Sequence, residues 1–464
     1  MMTSAGQEVD VAILGAGGGG YPAAFLLAKA GLRVVMADPL GNLGGDCLAE
    51  GCVPSKAVRE AGLARASARK YTHFGLRGET ASADWPSVLA FKDRVQKVRY
   101  ENHRRELHDS SILFHAGKGR LTGERQLEIE TQDAVHRYTF RYLLLATGSR
   151  PTRLRIPGAE LAVTSHDFFR LGADLPFPRQ LVVIGGGYIG VEVASMLQNL
   201  GGQATVLEYT SQLLPGFDAE LAQALYASLG QRVSLQLKAE VTAIEKVPEG
   251  FKVHYRQDEQ DRSVIGDRVL MATGRAAVLP EGIEVIGLRA DEALSVNDRL
   301  QTTNPAVYAP GDVNGRSMLF HSAVRQSLIA AHNILAGGQP IERMDFESVP
   351  FTVFTEPELA HVGLTEVQAR ERYGNRIEVI RADYAADARA QILDETKGFL
   401  KLVFESQSGR LLGAQIAGVE AAQLIAPLAL AVDQGLTGGA LSRVAFPHPM
   451  LSEQINKAAR AFKP

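Results

Sequence analysis

Cysteine is nearly absent from this chain: two residues in 464, Cys47 and Cys52. That excludes the dense disulfide framework of a small secreted domain and leaves apolar packing to build the core. Neither sign of charge dominates, since 49 basic and 52 acidic side chains leave a net charge of −3. No basic tract marks a nucleic-acid surface, and the densest patch, His103-Arg104-Arg105, is expected on a solvated helix face. The region Val9 to Ala30 is apolar enough to suggest a membrane span, but five glycines, a proline and a lysine interrupt it. It reads as strand, turn and helix. Met1 to Glu8 lack the basic start, apolar stretch and cleavage site of a secretory signal. A cytoplasmic protein is expected, with no nucleic-acid or membrane partner. What is present is ordinary for a folded enzyme: 45% apolar and 22% charged residues, in a chain long enough for about two to four domains.

An internal repeat organises the chain. Val9 to Leu14 has the pattern of a short buried strand, followed by Gly15-Ala16-Gly17-Gly18-Gly19-Gly20. Pro22 suits the first turn of the next helix, and a second strand, Arg33 to Ala37, ends at Asp38. The same order recurs in Leu181 to Ile184, Gly185-Gly186-Gly187-Tyr188-Ile189-Gly190, a helix to Leu200, and a strand ending at Glu208. In each copy the acid stands 23 residues after the first glycine. Such a fingerprint binds a dinucleotide. Gly15 and Gly185 permit the turn, Gly17 and Gly187 admit a pyrophosphate, and Gly20 and Gly190 let helix and strand pack closely. The terminal acid then accepts hydrogen bonds from a ribose diol. The repeat continues in two strand-to-turn segments, Tyr142 to Gly148 and Arg268 to Gly274. A third strand, ending at Gly311-Asp312, projects a carboxylate where open α/β sheets bind ligands.

The expected fold class is therefore α/β, with two Rossmann-like dinucleotide-binding domains followed by a C-terminal α+β domain. Residues 1–150 form the first domain and 151–274 the second. Residues 275–345 return to complete the first, and 346–464 form the last, with strands Gly398–Phe404 and Leu411–Ala417 and helices Ala421–Gln434 and Leu451–Phe462. An insertion in the first copy holds the cysteines and a helix from Trp85 to Leu107.

The cysteine pair lies in Gly44-Gly45-Asp46-Cys47-Leu48-Ala49-Glu50-Gly51-Cys52-Val53-Pro54-Ser55-Lys56. Residues five apart in a regular helix have Cα atoms roughly 8.6 Å apart, beyond the ~7 Å that a disulfide tolerates. A bond between them requires a distorted helix start, which Gly51 makes easier. Free thiols and half of a zinc site are the alternatives, and zinc would need ligands that no further cysteine supplies.

Gly-Gly-x-Cys-x4-Cys-x-Pro-Ser-Lys resembles the redox motif of the class containing dihydrolipoamide dehydrogenase, glutathione reductase and mercuric reductase. The likeness runs from Val9 to Phe462. It implies a redox-active Cys47–Cys52 disulfide, with Cys52 facing the flavin and Cys47 exchanging with substrate. It also implies FAD in the first unit, with Asp38 on the ribose, Lys56 near the flavin and Asp312 on the ribityl chain. Gly119, the Thr147-Gly148-Ser149 turn and Met318-Leu319 match further FAD-contacting positions. Family members carry alanine where Phe320 stands.

In the second unit Tyr188 resembles the aromatic covering the nicotinamide, and Glu192 the acid that pairs with Lys56. Glu208 favours NAD, because a carboxylate repels a 2′-phosphate. Phe446-Pro447-His448-Pro449-Met450-Leu451-Ser452-Glu453 resembles the signature of the catalytic base, with Met450 in place of threonine. A dithiol attacks as thiolate, so His448 takes its proton and Glu453 orients the ring. No metal is expected. The resemblance implies a homodimer in which this C-terminal domain is the dimerisation module and the histidine crosses to the other subunit. The activity expected is NAD-dependent oxidation of dihydrolipoamide on a lipoyl-bearing protein of a 2-oxoacid dehydrogenase complex or glycine-cleavage system. Asp46, Ala49 and Glu50 depart from the usual dihydrolipoamide pattern. An NADH-dependent reductase of another disulfide, quinone or metal ion, or a structural subunit of a multienzyme complex, are the alternatives.

Overall fold

The computed structural model describes residues 6–79, 81–289, 293–337 and 341–463; the first five residues of the polar start, and Pro464, lie outside the described residues. The first parallel sheet is centred on Gln7–Leu14, between Val34–Asp38 and Val135–Leu145. Its alternate residues feed two cores. Val11 and Ile13 join one cluster, while Ala12 and Leu14 join another on the opposite face, as a strand covered on both sides requires. Val307–Tyr308 pairs in parallel with Val135–Leu145, so chain beyond residue 300 completes this sheet.

The second sheet places Gln180–Ile184 between Gln203–Glu208 and Arg268–Met271, with Ser234–Leu237 at the edge, all parallel. The helix Tyr188–Leu200 packs on the face carrying Leu181 and Val183. An antiparallel meander, Glu240–Val247, Gly250–Gln257 and Gln260–Gly266, covers Val182 and Ile184. Ser149–Pro151 and Arg275–Ala277 pair antiparallel. The chain thus leaves for the second unit and returns from it side by side, directly after the two Thr-Gly turns.

The C-terminal domain has five antiparallel strands, in the order Phe351–Val353, Leu359–Gly363, Leu411–Ala417, Phe399–Glu405, Ile377–Asp383. Helices Ala421–Asp433 and Glu453–Ala461 pack on it. The last helix begins two residues later than expected, because Leu451 is fully buried in the turn before it. Three short helices were not expected from the pattern. One of them, Glu366–Tyr373, buries only Ala369 and shows no apolar stripe, but the capping box of Thr365 and Gln368 marks its start.

The helix Trp85–His108 corrects one expectation. Arg104 and Arg105 are exposed, but His103 is buried, its Nδ1 3.1 Å from the Leu43 carbonyl oxygen. The run is not one solvated face, because three consecutive helical residues point in three directions.

Candidate active site

A cavity of about 840 Å³ opens where the first sheet, the paired connecting strands, the cysteine segment and the start of the helix Tyr188–Leu200 meet. On one side stands the first glycine turn. A Cβ on Gly15 would lie 2.1 Å from the Ala146 carbonyl oxygen, and one on Gly20 only 1.9 Å from that of Gly15. Gly15 also has φ +103, where L side chains are strained. At Gly17 the nearest atom is 3.6 Å away, so the middle glycine faces the cavity. The second turn repeats this division: 2.4 Å at Gly185, 2.0 Å at Gly190, and nothing within 4 Å at Gly187. Both turns have the shape that admits a pyrophosphate.

The acids follow the same plan. Asp38 accepts from the Ala16 N–H at 2.7 Å and the Leu40 N–H at 2.8 Å. Glu208 accepts from Gly186 at 2.6 Å and Thr210 at 2.7 Å. Each carboxylate is fixed by backbone yet keeps lone pairs for a ribose diol. Burial raises the Asp38 pKa, and its two backbone bonds oppose the shift.

Gly119, Thr147, Gly148, Ser149, Asp312, Met318 and Leu319 all line the cavity. A Cβ on Gly119 would meet the end of the Leu14 side chain at 2.2 Å, so a larger residue there would require Leu14 to shift. Thr147 Oγ1 donates to Val278 O at 2.5 Å, and Ser149 Oγ to Asp312 Oδ2 at 2.6 Å. Burial raises the Asp312 pKa against the Ser149 bond. Phe320 is accommodated by the extra glycine of the turn: its ring edge lies 3.0 Å from where a Gly18 Cβ would stand.

The cysteine segment is broken, as its chemistry demands. Gly45–Ala49 is one short helix and Cys52–Ala66 another, joined through Glu50 and Gly51. A Cβ on Gly51 would come within 2.9 Å of the Asp46 carbonyl oxygen, so glycine permits the reversal. Cys47 is half-buried and Cys52 exposed; both line the cavity, with side chains close enough to influence each other's acidity. Their acidities diverge. The hydrogen bond from Cys47 holds the Cys52 thiol below its ordinary value, with Lys56 assisting against desolvation. The same bond, with burial, pushes Cys47 upward. Cys52 also opens a fifteen-residue helix, where the N-terminal dipole favours a thiolate.

One turn on, Lys56 Nζ donates to Glu192 Oε2 at 2.6 Å, as expected. The other Glu192 oxygen accepts from the Phe354 N–H at 2.9 Å, and the Lys56 ammonium lies 4.4 Å from the Phe354 ring centroid. Three domains therefore meet at this pair. Tyr188 and Ile189 line the same cavity. Burial pushes the Tyr188 hydroxyl up to about 12, and its ring packs edge-on to Phe351 with centroids 5.5 Å apart.

Sequence reasoning missed Phe354 and Arg275. Arg275 follows Gly274 (φ +106). Its Nε donates to Ser149 Oγ at 2.7 Å, and its Nη2 bonds the Ser149 carbonyl and Asp46. Burial raises the Asp46 pKa to about 6, Arg275 opposing and Glu50 and Asp312 adding to the rise. Glu50 in turn contacts His166 Nδ1. Position directly after the Thr-Gly turn was the only signal for Arg275; the C-terminal domain gave none for Phe354.

His448 and Glu453 are paired but lie apart from this cavity. His448 Nδ1 is 3.0 Å from both Glu453 oxygens, neither residue lines the cavity, and the His448 side chain is 71% exposed. The hydrogen bond to His448 lowers the Glu453 pKa. Asn456 Nδ2 donates to the carbonyls of Leu441, Ser442 and Val444, bracing the turn before His448. Among the described residues no group of three or more His, Cys, Asp or Glu side chains could hold a metal, and no helix is long and apolar enough to cross a membrane.

Residues 9–327 match the family described as pyridine nucleotide-disulphide oxidoreductase, and residues 349–459 match the dimerisation domain of the same description. The chain is 33% identical over 458 residues to the dihydrolipoyl dehydrogenase of Bacillus subtilis, covering 97% of this chain and 96% of that protein. It is 31% identical over 471 residues to dihydrolipoyl dehydrogenase 1, mitochondrial, of Arabidopsis thaliana, covering 99% and 91%. Among solved structures it resembles the Cu(II) complex of the HOCl-induced flavoprotein disulfide reductase RclA from Escherichia coli. The TM-score is 0.86 at 27% identity, covering 98% of this chain and 100% of the other.

Proposed function

The chain belongs to the pyridine nucleotide-disulphide oxidoreductase family, and from that premise we propose that it oxidises dihydrolipoamide on a lipoyl-bearing protein, with NAD as acceptor. FAD and NAD(H) are its cofactors. The observation that carries the proposal is the cysteine pair lining one cavity with both the first glycine turn and Tyr188, one helical turn from the Lys56–Glu192 pair. Full-length likeness to dihydrolipoyl dehydrogenases supports the choice of dithiol.

The residues divide the work as follows. His448 of one subunit takes a proton from a substrate thiol, and Glu453 holds its ring with Nε2 outward. The substrate thiolate attacks Cys47 of the oxidised pair; the Cys47–Cys52 bond breaks, and Cys52 leaves as a thiolate beside Lys56. The second substrate thiol, deprotonated in turn, displaces Cys47 from the mixed disulfide. The substrate departs as a cyclic disulfide and the protein pair holds two electrons more. Bound FAD supplies the two-electron carrier between that pair and NAD. Asp38, Asp312 and the Gly15–Gly20 turn would hold it, Lys56 lies on the cysteine side, and Glu208 with the Gly185–Gly190 turn would hold NAD. Exposed on the surface of the dimerisation domain and apart from the cysteine cavity, the His448–Glu453 pair fits a site completed by a second subunit.

A second reading, an NADH-dependent reductase of another disulfide or a metal ion, draws on Asp46 and Glu50 in the cysteine loop and on the likeness to a disulfide reductase. Steady-state rates with dihydrolipoamide, glutathione disulfide and Hg(II), each under both nicotinamides, separate the two. The highest kcat/KM is expected for dihydrolipoamide with NAD. A higher value for either of the others with NADH would replace this reading with the second.

A further inference from the structure

Beneath the break between the two cysteine helices lie a charged and a polar side chain that the chemistry above does not use. Lys92 and Gln96, one turn apart on Trp85–His108, are both completely buried. Gln96 Nε2 donates to the carbonyls of Leu48 and Ala49, both at 2.9 Å. Those carbonyls end the short helix carrying Cys47, where a helix has no donors of its own to offer. Lys92 Nζ donates to Gln96 Oε1 at 3.0 Å, which fixes the direction of the amide, and to Asp93 at 2.5 Å. It also donates to the carbonyls of Arg170 at 2.7 Å and Phe169 at 3.3 Å.

These last two carbonyls close the helix Ser165–Phe169, on the path into the second unit. Phe169 and Ser165 reach the cysteine cavity, and His166 on the same helix contacts Glu50. The cysteine loop is thus tied to this helix twice, at its rim through Glu50 and underneath through Gln96 and Lys92. A leucine or methionine at either buried position would fill the space without desolvating a polar group. It could not hold carbonyls of two separate segments together.

We propose that Gln96 is a positioning residue of the cysteine pair: held by Lys92, it fixes the Leu48 and Ala49 carbonyls between the two cysteines and couples the loop to the helix Ser165–Phe169. The proposal rests on the reading of Cys47 and Cys52 as the reacting pair. Forming or breaking the disulfide changes the separation of the two sulfurs and shifts the residues between them. An anchor on the Leu48 and Ala49 carbonyls, between the two cysteines, therefore bears on that equilibrium.

The test equilibrates purified holoenzyme with mixtures of dithiothreitol and its oxidised form and counts protein thiols. Gln96→Glu keeps the size and the acceptor for Lys92 but has no donor for the two carbonyls. With flavin content retained, its thiol–disulfide equilibrium should shift about tenfold relative to wild type. A shift below about twofold overturns the proposal. Wild type provides a second measurement that needs no variant: hydrogen exchange of the segments 45–52, 88–98 and 164–171 before and after reduction. All three should change together, and a change confined to 45–52 overturns the coupling. Should dithiothreitol release no pair of thiols from wild type, the reading of the cysteines falls and the anchor with it. An intact wild-type pair with an unshifted variant refutes the anchor alone.

Discussion

Replacing Glu192 tests whether the Lys56 pair is an energetic link between domains. Removing one partner of a buried ion pair costs about 3–5 kcal/mol, because the other charge is stranded. Here Lys56 is 31% exposed and its ammonium stays over the Phe354 ring at 4.4 Å. Water and a cation–π contact of about 0.5–1 kcal/mol offset part of the loss. Glu192→Gln should therefore cost about 2–3 kcal/mol, since its carbonyl oxygen still accepts from Phe354 N–H. Glu192→Ala orphans that N–H and should cost about 1–2 kcal/mol more. In a Lys56→Met background there is no charge to strand, so Glu192→Gln should become nearly neutral. The double-mutant cycle is read from denaturant midpoints followed by flavin release, at unchanged m. A coupling of about 2 kcal/mol is expected. A coupling below about 0.5 kcal/mol, or equal losses for Gln and Ala, refutes the reasoning.

Cys47→Ser should leave a Cys52 thiolate against oxidised flavin and produce a long-wavelength absorbance band. The band should fade as pH falls through the Cys52 pKa, which Lys56 still lowers although the hydrogen bond from Cys47 is gone, so the fade comes at a higher pH than the wild-type thiol pair would give. A band in Cys52→Ser instead would reverse the two roles. Glu208→Arg should weaken NADH binding about tenfold or more and strengthen NADPH binding, as a diol acceptor becomes a phosphate partner; unchanged competition kinetics would place specificity elsewhere. Co-assembled Cys47→Ser and His448→Gln subunits should recover about a quarter of wild-type activity, since half the dimers are mixed and each has one intact site in two. No recovery would mean that thiol and base belong to one subunit.

Where the sequence was legible, a strict steric or periodic rule applied. The glycines at 15, 20, 185 and 190 are demanded by backbone atoms closer than 2.5 Å, and such demands leave fixed spacings in the chain. The short buried-strand runs and the helix ending at Leu200 were equally plain. What stayed hidden were contacts between segments far apart in sequence. Arg275 meets Asp46 across 229 positions, and Phe354 meets Glu192 across 162. Gln96 lies in a helix whose polar surface gives no sign that one glutamine points inward. His103 was misjudged for the same reason: a residue's neighbours in sequence do not fix which way it faces on a helix.

The two acids that set this cysteine loop apart gain a physical account from those contacts. Unpaired carboxylates at 46 and 50 would repel the Cys52 thiolate and any anionic disulfide. Neither acid is unpaired. Asp46 meets the Arg275 guanidinium, and Glu50 contacts the His166 ring. Both partners come from segments that flank the second unit, Arg275 just after its last strand and His166 just before its first. The charge presented beside Cys47 therefore depends on how the second unit sits against the first. With both pairs made, each acid faces a basic partner from the flank of the second unit. The departures at 46 and 50 then tie the thiol site to the nucleotide-binding unit more than they select a substrate by charge.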